Sequence, residues 1–260
     1  MGSSATSGPR FLPEPETQEF LARALGAVTE ALGAVARAPR WLGAEPPERP
    51  GDLDSLFGFV CGLQEEIGQG DLEFTLLEIE PGKPPVPPGF EPVGDPTGHL
   101  LHTFARGPEL LLLVTPALFR VRTLLLGSVA RELGRMGLWQ RQREVEPAGV
   151  LAEVDPESAA ELAGIALGMG LWLANGAYIF ENSCCGGGCG IDLRGIRAGL
   201  SLPEVSFALA LDARRKGLSR WTGGRGLDAT QKAAFKACWG ASAKAAPALA
   251  AASSGGSLRA

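Results

Sequence analysis

The sequence predicts an α+β fold: a small antiparallel β-meander packed against about five or six helices, with a helix-rich C-terminal half. Hydrophobic residues make up 45% of the 260 positions and charged residues 20%, so the chain can bury an apolar core. Apolar residues recur every three or four positions near both ends, whereas stretches within 71–115 alternate with a period of two. The 36 glycines and 20 prolines predict long connectors between these elements.

Two helices are predicted within the first 70 residues. Apolar side chains in residues 16–37 share one face, which is typical of an amphipathic helix. Asp52 is placed to cap a second helix, and Gly68 is placed to end it. The positions assigned to the core side of this second helix are Leu53, Leu56, Phe57, Val60, Leu63 and Ile67. Residues 16–70 are therefore predicted to form a helical lobe.

Three strands follow. Residues 71–80, 99–105 and 109–115 alternate as strands do, and residues 106–108 read as the turn of a hairpin. Residues 81–96 contain seven prolines, which excludes a helix or an inner strand there. His99 and His102 are three positions apart on a predicted strand, so we expect their rings to point to opposite faces and not to share a metal.

The C-terminal half is predicted to be helical. One helix runs from Pro116 to Gln142, and Asp155 with Pro156 begins a long apolar helix that ends near Glu181. Residues 201–204 form a capping box for another helix, and residues 228–231 repeat the arrangement. The predicted organisation is a disordered N-terminus (1–15), one α+β domain (16–240, with a helical lobe at 16–70, a β-meander at 71–115 and a helical part at 116–240) and a flexible tail (241–260).

Charge is unevenly distributed. Residues 1–189 carry 25 acidic and 13 basic residues, whereas residues 190–260 carry four acidic and 11 basic residues. A basic stripe that includes Arg120, Arg131 and Arg135 could bind a protein partner, because a guanidinium forks around carboxylates. Pairing with the acidic part of the same chain explains the stripe equally well. Aromatic residues are sparse near it, which disfavours nucleic acid as the partner.

The string ENSCCGGGCG contains Cys184, Cys185 and Cys189. Thiolates bind zinc, and two neighbouring thiols can also oxidise reversibly, so a zinc site and a redox pair are both alternatives here. The spacing is not that of paired zinc knuckles, and adjacent cysteines rarely bind one ion together. We therefore expect a glycine-rich loop without a cofactor, and zinc remains the alternative.

Residues 162–180 form a 19-residue stretch without charge, almost long enough to span a membrane. Its asparagine and four glycines favour a buried core helix, and membrane association remains an alternative. The chain begins without a signal-peptide pattern, and five cysteines do not form a disulfide framework. A cytoplasmic protein is expected, and the high arginine and alanine content is typical of a bacterial genome rich in G and C.

The expected function follows from what the sequence does not contain. It lacks a phosphate-binding loop, a dinucleotide-binding glycine motif and a GxSxG nucleophile motif. The leading hypothesis is a protein-interaction or scaffold module without enzymatic activity. The alternatives are a metal-binding or thiol-redox protein that uses the three cysteines, and a membrane-associated protein that uses residues 162–180.

Overall fold

A computed structural model of the chain describes residues 11–79, 86–181 and 198–254. It confirms the α+β class, with helices on a small four-stranded sheet. The elements are α1 (Pro15–Leu32), α2 (Ala34–Arg37), α3 (Leu53–Ile67), β1 (Phe74–Glu78), β2 (Glu91–Pro92), β3 (Leu101–Arg106), β4 (Glu109–Val114), a 3₁₀ turn (Pro116–Arg120), α4 (Arg122–Gln142), α5 (Val150–Glu153), α6 (Pro156–Gly164), a π-helical turn (Ile165–Met169), α7 (Gly170–Glu181), α8 (Leu202–Arg215), α9 (Arg220–Gly223) and α10 (Ala229–Ser254).

Several helices begin where local sequence predicts. Asp52 accepts a hydrogen bond from the backbone N–H of Ser55, and the Ser55 hydroxyl accepts one from the N–H of Asp52. Asp155 accepts from two backbone N–H groups at the start of α6. Ser201 and Glu204 form the capping box of α8. These bonds satisfy N–H groups that the first helical turn leaves unpaired.

The sheet has the strand order β1-β4-β3-β2. The β3–β4 hairpin is antiparallel as predicted, but β1 pairs with β4 in parallel, so the sheet is mixed and not a pure meander. The sequence of β4, ELLLLV, explains why this strand lies between β1 and β3. Its side chains after Glu109 are buried on both faces, and such a strand is most stable in the centre of a sheet, between two neighbours.

One large apolar cluster includes residues from all of the longer helices and from three strands. Helix α1 packs against α10, α8 and α6, so the first helix joins the C-terminal helices. Helix α4 is buried from Leu124 to Leu138. Gly164 of α6 lies against the carbonyl of Ala130 in α4, where a side chain would collide with the backbone.

The long apolar helix predicted after Asp155 is broken at Gly168, where φ is 102°. The carbonyl of Gly168 accepts a hydrogen bond from Leu42, and Lys216 donates to the carbonyls of Ile165 and Ala166 beside the break. Among the helices within the described residues, none combines the length and the apolarity that crossing a bilayer requires.

The C-terminal helix differs from the prediction at both ends. Helix α10 continues to Ser254, whereas the sequence predicts a flexible tail after 240. Gln231 does not complete a capping box: its side-chain amide donates to the carbonyl of Asn175 in α7. The alanine-rich sequence after 240 is therefore helical, as its high helix propensity favours, in spite of its low complexity.

Candidate functional site

The structure places two of the three predicted partner-binding arginines in the interior. Arg131 and Arg135 are each 3% exposed, and both bind the carboxylate of Glu132, which is 1% exposed. Arg120 lies at the end of the 3₁₀ turn and is exposed. The three arginines therefore do not form one surface.

Glu132 is the centre of this buried group. Its Oε2 accepts hydrogen bonds from the backbone N–H of Thr103 at 2.9 Å and from the Thr103 hydroxyl at 2.8 Å. The same oxygen accepts from Nε of Arg135 at 2.9 Å, and Oε1 accepts from Nε of Arg131 at 3.1 Å. The carboxylate thus joins α4 to the middle of β3.

Glu157 extends the group to α6. The two terminal nitrogens of Arg135 donate to its two carboxylate oxygens at 2.9 and 2.6 Å. Nε2 of His99 lies 2.8 Å from its Oε2, and the backbone N–H of Asp95 donates to its Oε1. Arg135 also donates to the carbonyl of Val93, so the segment before β3 is tied to two helices.

The two histidines contradict the expectation that they point apart. Their rings stack with centroids 5.5 Å apart and an angle of 7° between the planes. The strand alternation does not apply, because His99 precedes β3 and only His102 belongs to the strand. Neither nitrogen of His102 has a hydrogen-bond partner within the described part of the chain.

Burial and charge act on these groups in opposite directions. Burial would raise the pKa of Glu132, but the guanidiniums of Arg135 and Arg131 lower it to about 2. Burial also opposes ionisation of Glu157, yet the hydrogen bonds from His99 and Arg135 hold the pKa of that carboxyl well below its usual range. For His102 burial dominates and lowers the pKa to about 4, so the ring is neutral at neutral pH.

The polar side chains of the buried group are engaged chiefly with one another. Nε and both terminal nitrogens of Arg135 donate hydrogen bonds to carboxylates or to a carbonyl. The Arg135 side chain also borders a cavity of about 300 Å³ beside Trp139. Within the described ranges, no three histidine, cysteine, aspartate or glutamate side chains are positioned to hold a metal ion. The arrangement therefore fixes the sheet against α4 and α6.

The predicted cysteine site, Cys184, Cys185 and Cys189, lies outside the described residues. A further cysteine, Cys238, is buried in α10, and its thiol donates to the carbonyl of Phe11. Burial raises the pKa of that thiol to about 12.

A second candidate site lies where α3 packs beside β1. We define the α3–β1 groove by Asp54, Phe57, Cys61, Glu65, Glu73 and Phe74. It comprises two cavities of about 410 Å³ each, and the rings of Phe57 and Phe74, 5.2 Å apart, line both. Phe57 is 45% exposed, which corrects its assignment to the core side of α3. On the opposite face of β1, Leu77 is 39% exposed.

Strand β1 forms one edge of the sheet. The N–H of Ile79 donates to the carbonyl of Val114 in the parallel β1–β4 ladder. Because successive residues of a parallel strand turn their backbone groups to alternate sides, those of Phe74, Leu76 and Glu78 face away from β4. No other strand within the described residues pairs with this outer edge.

The charged side chains that line the groove are all acidic: Asp54, Glu65 and Glu73. Residues 51–100 contain ten acidic residues and one lysine. Burial and the nearby Glu65 raise the pKa of the Cys61 thiol, which keeps it protonated. The groove therefore combines one exposed and one half-buried aromatic ring, outward backbone hydrogen-bonding groups and negative charge.

Comparison with known proteins identifies no relative: no family model, curated protein or solved structure matches this chain. The groove was not predicted from the sequence, although two signals indicate it. Phe57 and Phe59 are two positions apart on one helix, so they cannot both point into the core. The alternating β1 segment also carries acidic residues at both ends.

Proposed function

We propose that the protein is a protein-interaction module that binds an extended segment of a partner along the outer edge of β1. The observation that carries this proposal is the outer edge of β1, which pairs with no strand of the described residues and lies beside the exposed ring of Phe57 and the half-buried ring of Phe74. An extended peptide can add to such an edge through backbone hydrogen bonds, while side-chain pockets beside the edge provide specificity.

The geometry of the edge favours this mode of binding. The outward N–H groups of Leu76 and Glu78 are about 7 Å apart, which matches the spacing of alternate residues in an added strand. Exposed apolar side chains flank the edge on both faces, with Phe57 near one and Leu77 on the other. A bound segment would cover both, which contributes to binding through apolar burial.

Site-specific photo-crosslinking in the native cell tests the proposal. A photoreactive phenylalanine analogue at Phe57 is compared with the same analogue at Trp221, which is 71% exposed and lies in α9. We expect a discrete crosslinked partner from position 57 and none from position 221. Equal products at both positions, no product at 57, or a product made of two copies of this chain would each contradict the proposal.

A matched pair of variants tests the backbone hydrogen bonds. Glu78→Pro removes an N–H that faces away from β4, and proline is tolerated where a strand edge faces solvent. Glu78→Ala removes the same carboxylate but keeps the N–H. The crosslink from position 57 should be lost in Glu78→Pro and kept in Glu78→Ala. A crosslink that survives in both variants would show that strand addition is not the mode of binding.

A further inference from the structure

We infer that the α3–β1 groove selects a basic partner: an extended segment in which lysine or arginine alternates with apolar residues. This inference rests on the proposed function, and it names the chemistry of the partner. Its basis is the complementarity between such a segment and a groove whose charged lining residues, among those the structure describes, are all acidic.

The acidic residues surround the groove on both elements. Asp54 lies in the first turn of α3 and Glu65 near its last turn, while Glu73 and Glu78 lie at the two ends of β1. All four are exposed, and no arginine or lysine among the residues that the structure describes lines either cavity. A partner with positive charge at both ends of its bound segment would therefore meet an opposite charge at each end.

The same charges disfavour a second copy of this chain as the occupant. Pairing two β1 edges would bring Glu73 and Glu78 of each copy beside the acidic residues of the other, and such like-charge contacts are unfavourable. Acidic residues on an edge strand are also a common means of preventing self-pairing. The occupant that this charge pattern favours is a different, basic chain.

The aromatic rings beside the edge of β1 determine where the partner segment carries apolar residues. In an added strand, alternate side chains point to one face of the sheet. On the face that carries α3, those side chains would lie against Phe57 and Phe74. An apolar residue at such positions fits the exposed ring of Phe57 and the half-buried ring of Phe74. The basic residues between them point to the other face of the sheet, and a basic residue where the segment extends past the five residues of β1 would meet Asp54 at one end or Glu73 at the other.

Binding of synthetic peptides to the full-length chain tests this inference directly. Three octapeptides are compared by fluorescence anisotropy: alternating Lys–Val, alternating Thr–Val and alternating Glu–Val. We expect the Lys–Val peptide to bind at least about tenfold more tightly than the Thr–Val peptide at about 50 mM salt, and the preference to shrink at about 200 mM salt. The Glu–Val peptide should not bind.

Charge reversal at the groove provides the specific control. The Asp54→Lys/Glu73→Lys variant should bind the Lys–Val peptide at least about tenfold more weakly. The Glu16→Lys/Glu19→Lys variant changes the net charge equally at exposed positions on α1 and should bind as the parent does. An equal loss in both variants would show general attraction to an acidic chain and would overturn the inference.

The remaining outcomes separate this inference from the proposed function. If the Thr–Val and Lys–Val peptides bind equally well, the selection for basic segments is wrong while strand addition stands. If no peptide binds, the inference is overturned, and the crosslinking from position 57 decides the proposed function independently.

Discussion

Nε2 of His99 lies 2.8 Å from Oε2 of Glu157, and this contact joins the segment before β3 to the first turn of α6. The same carboxylate binds both terminal nitrogens of Arg135 in α4. His102 stacks on His99, but its nitrogens have no hydrogen-bond partner among the residues described. Among the described residues, His99 is thus the member of the pair with a carboxylate at ion-pair distance, and His102 has none.

The burial of His102 predicts that acid destabilises the fold, because the buried ring resists protonation. Its pKa falls from 6.5 to about 4 on folding, so between these values the unfolded chain binds a proton that the folded chain does not. The associated stability is present above the unfolded pKa and is lost as the pH falls toward the folded pKa. The free energy of unfolding should decrease by about 2 kcal/mol between about pH 7 and about pH 5, as measured by urea denaturation.

The His102→Leu variant isolates this contribution. It removes the titrating ring and keeps an apolar side chain of similar size against Phe104, which lies 5.4 Å from the His102 ring. We expect the difference in unfolding free energy between the two pH values to fall to less than half of the parent value. An unchanged difference would assign the acid sensitivity to another group.

Glu132 should be essential for stability because it neutralises two buried guanidiniums. Replacing it by Gln removes the carboxylate that binds Arg131 and leaves Arg135 with Glu157 alone, which should cost about 3–5 kcal/mol. The matched control is Glu109→Gln, since Glu109 pairs with Arg106 at 2.6 Å where both side chains are about half exposed. That change should cost less than about 1 kcal/mol. Equal urea midpoints for the two variants would contradict the role of Glu132.

The parts of the fold that were predictable from sequence are those fixed by neighbouring residues. The caps at Asp52, Asp155 and Ser201 depend on side chains within three positions, so the sequence shows them directly. The parallel pairing of β1 with β4 depends instead on which strand is buried on both faces. That choice is made by the helices packed on the sheet, and local alternation does not reveal it.

The sites were harder to predict for the same reason. Arg135 looks like a surface residue in sequence, because its partner Glu157 is 22 residues away and enters only when α6 packs against α4. Phe57 has core spacing, yet α3 turns it toward the edge of the sheet, where it contacts Phe74 and stays half exposed. Periodicity identifies an apolar face but not what covers it.

Phe57 and Phe59 should therefore respond differently to truncation. Phe59 is 4% exposed and stacks on Trp172 at 6.0 Å, so Phe59→Ala should destabilise the protein by about 3–5 kcal/mol. Phe57→Ala should cost only about 1 kcal/mol or less, because much of the ring is already in water. Thermal unfolding of both variants checks the prediction. A large loss for Phe57→Ala would mean that the ring belongs to the core after all.

Gly168 should be intolerant of substitution, because two independent constraints meet there. Its φ of 102° is a conformation that residues with a side chain rarely adopt. A Cβ at this position would also lie 2.7 Å from the carbonyl oxygen of Arg40, which is backbone and cannot easily move. Gly168→Ala should therefore cost at least about 2 kcal/mol.

The matched control is Gly217→Ala, just after the C-terminus of α8. Gly217 also has a positive φ, 71°, but no atom lies within 4 Å of a Cβ placed there. This variant meets only the conformational penalty of a helix-ending residue, so about 1 kcal/mol is expected from urea denaturation. The excess for Gly168→Ala measures the contact between the π-helical turn and the segment before Leu42. If the two variants were equally stable, that close approach would contribute nothing, and the break in the helix would depend on backbone conformation alone.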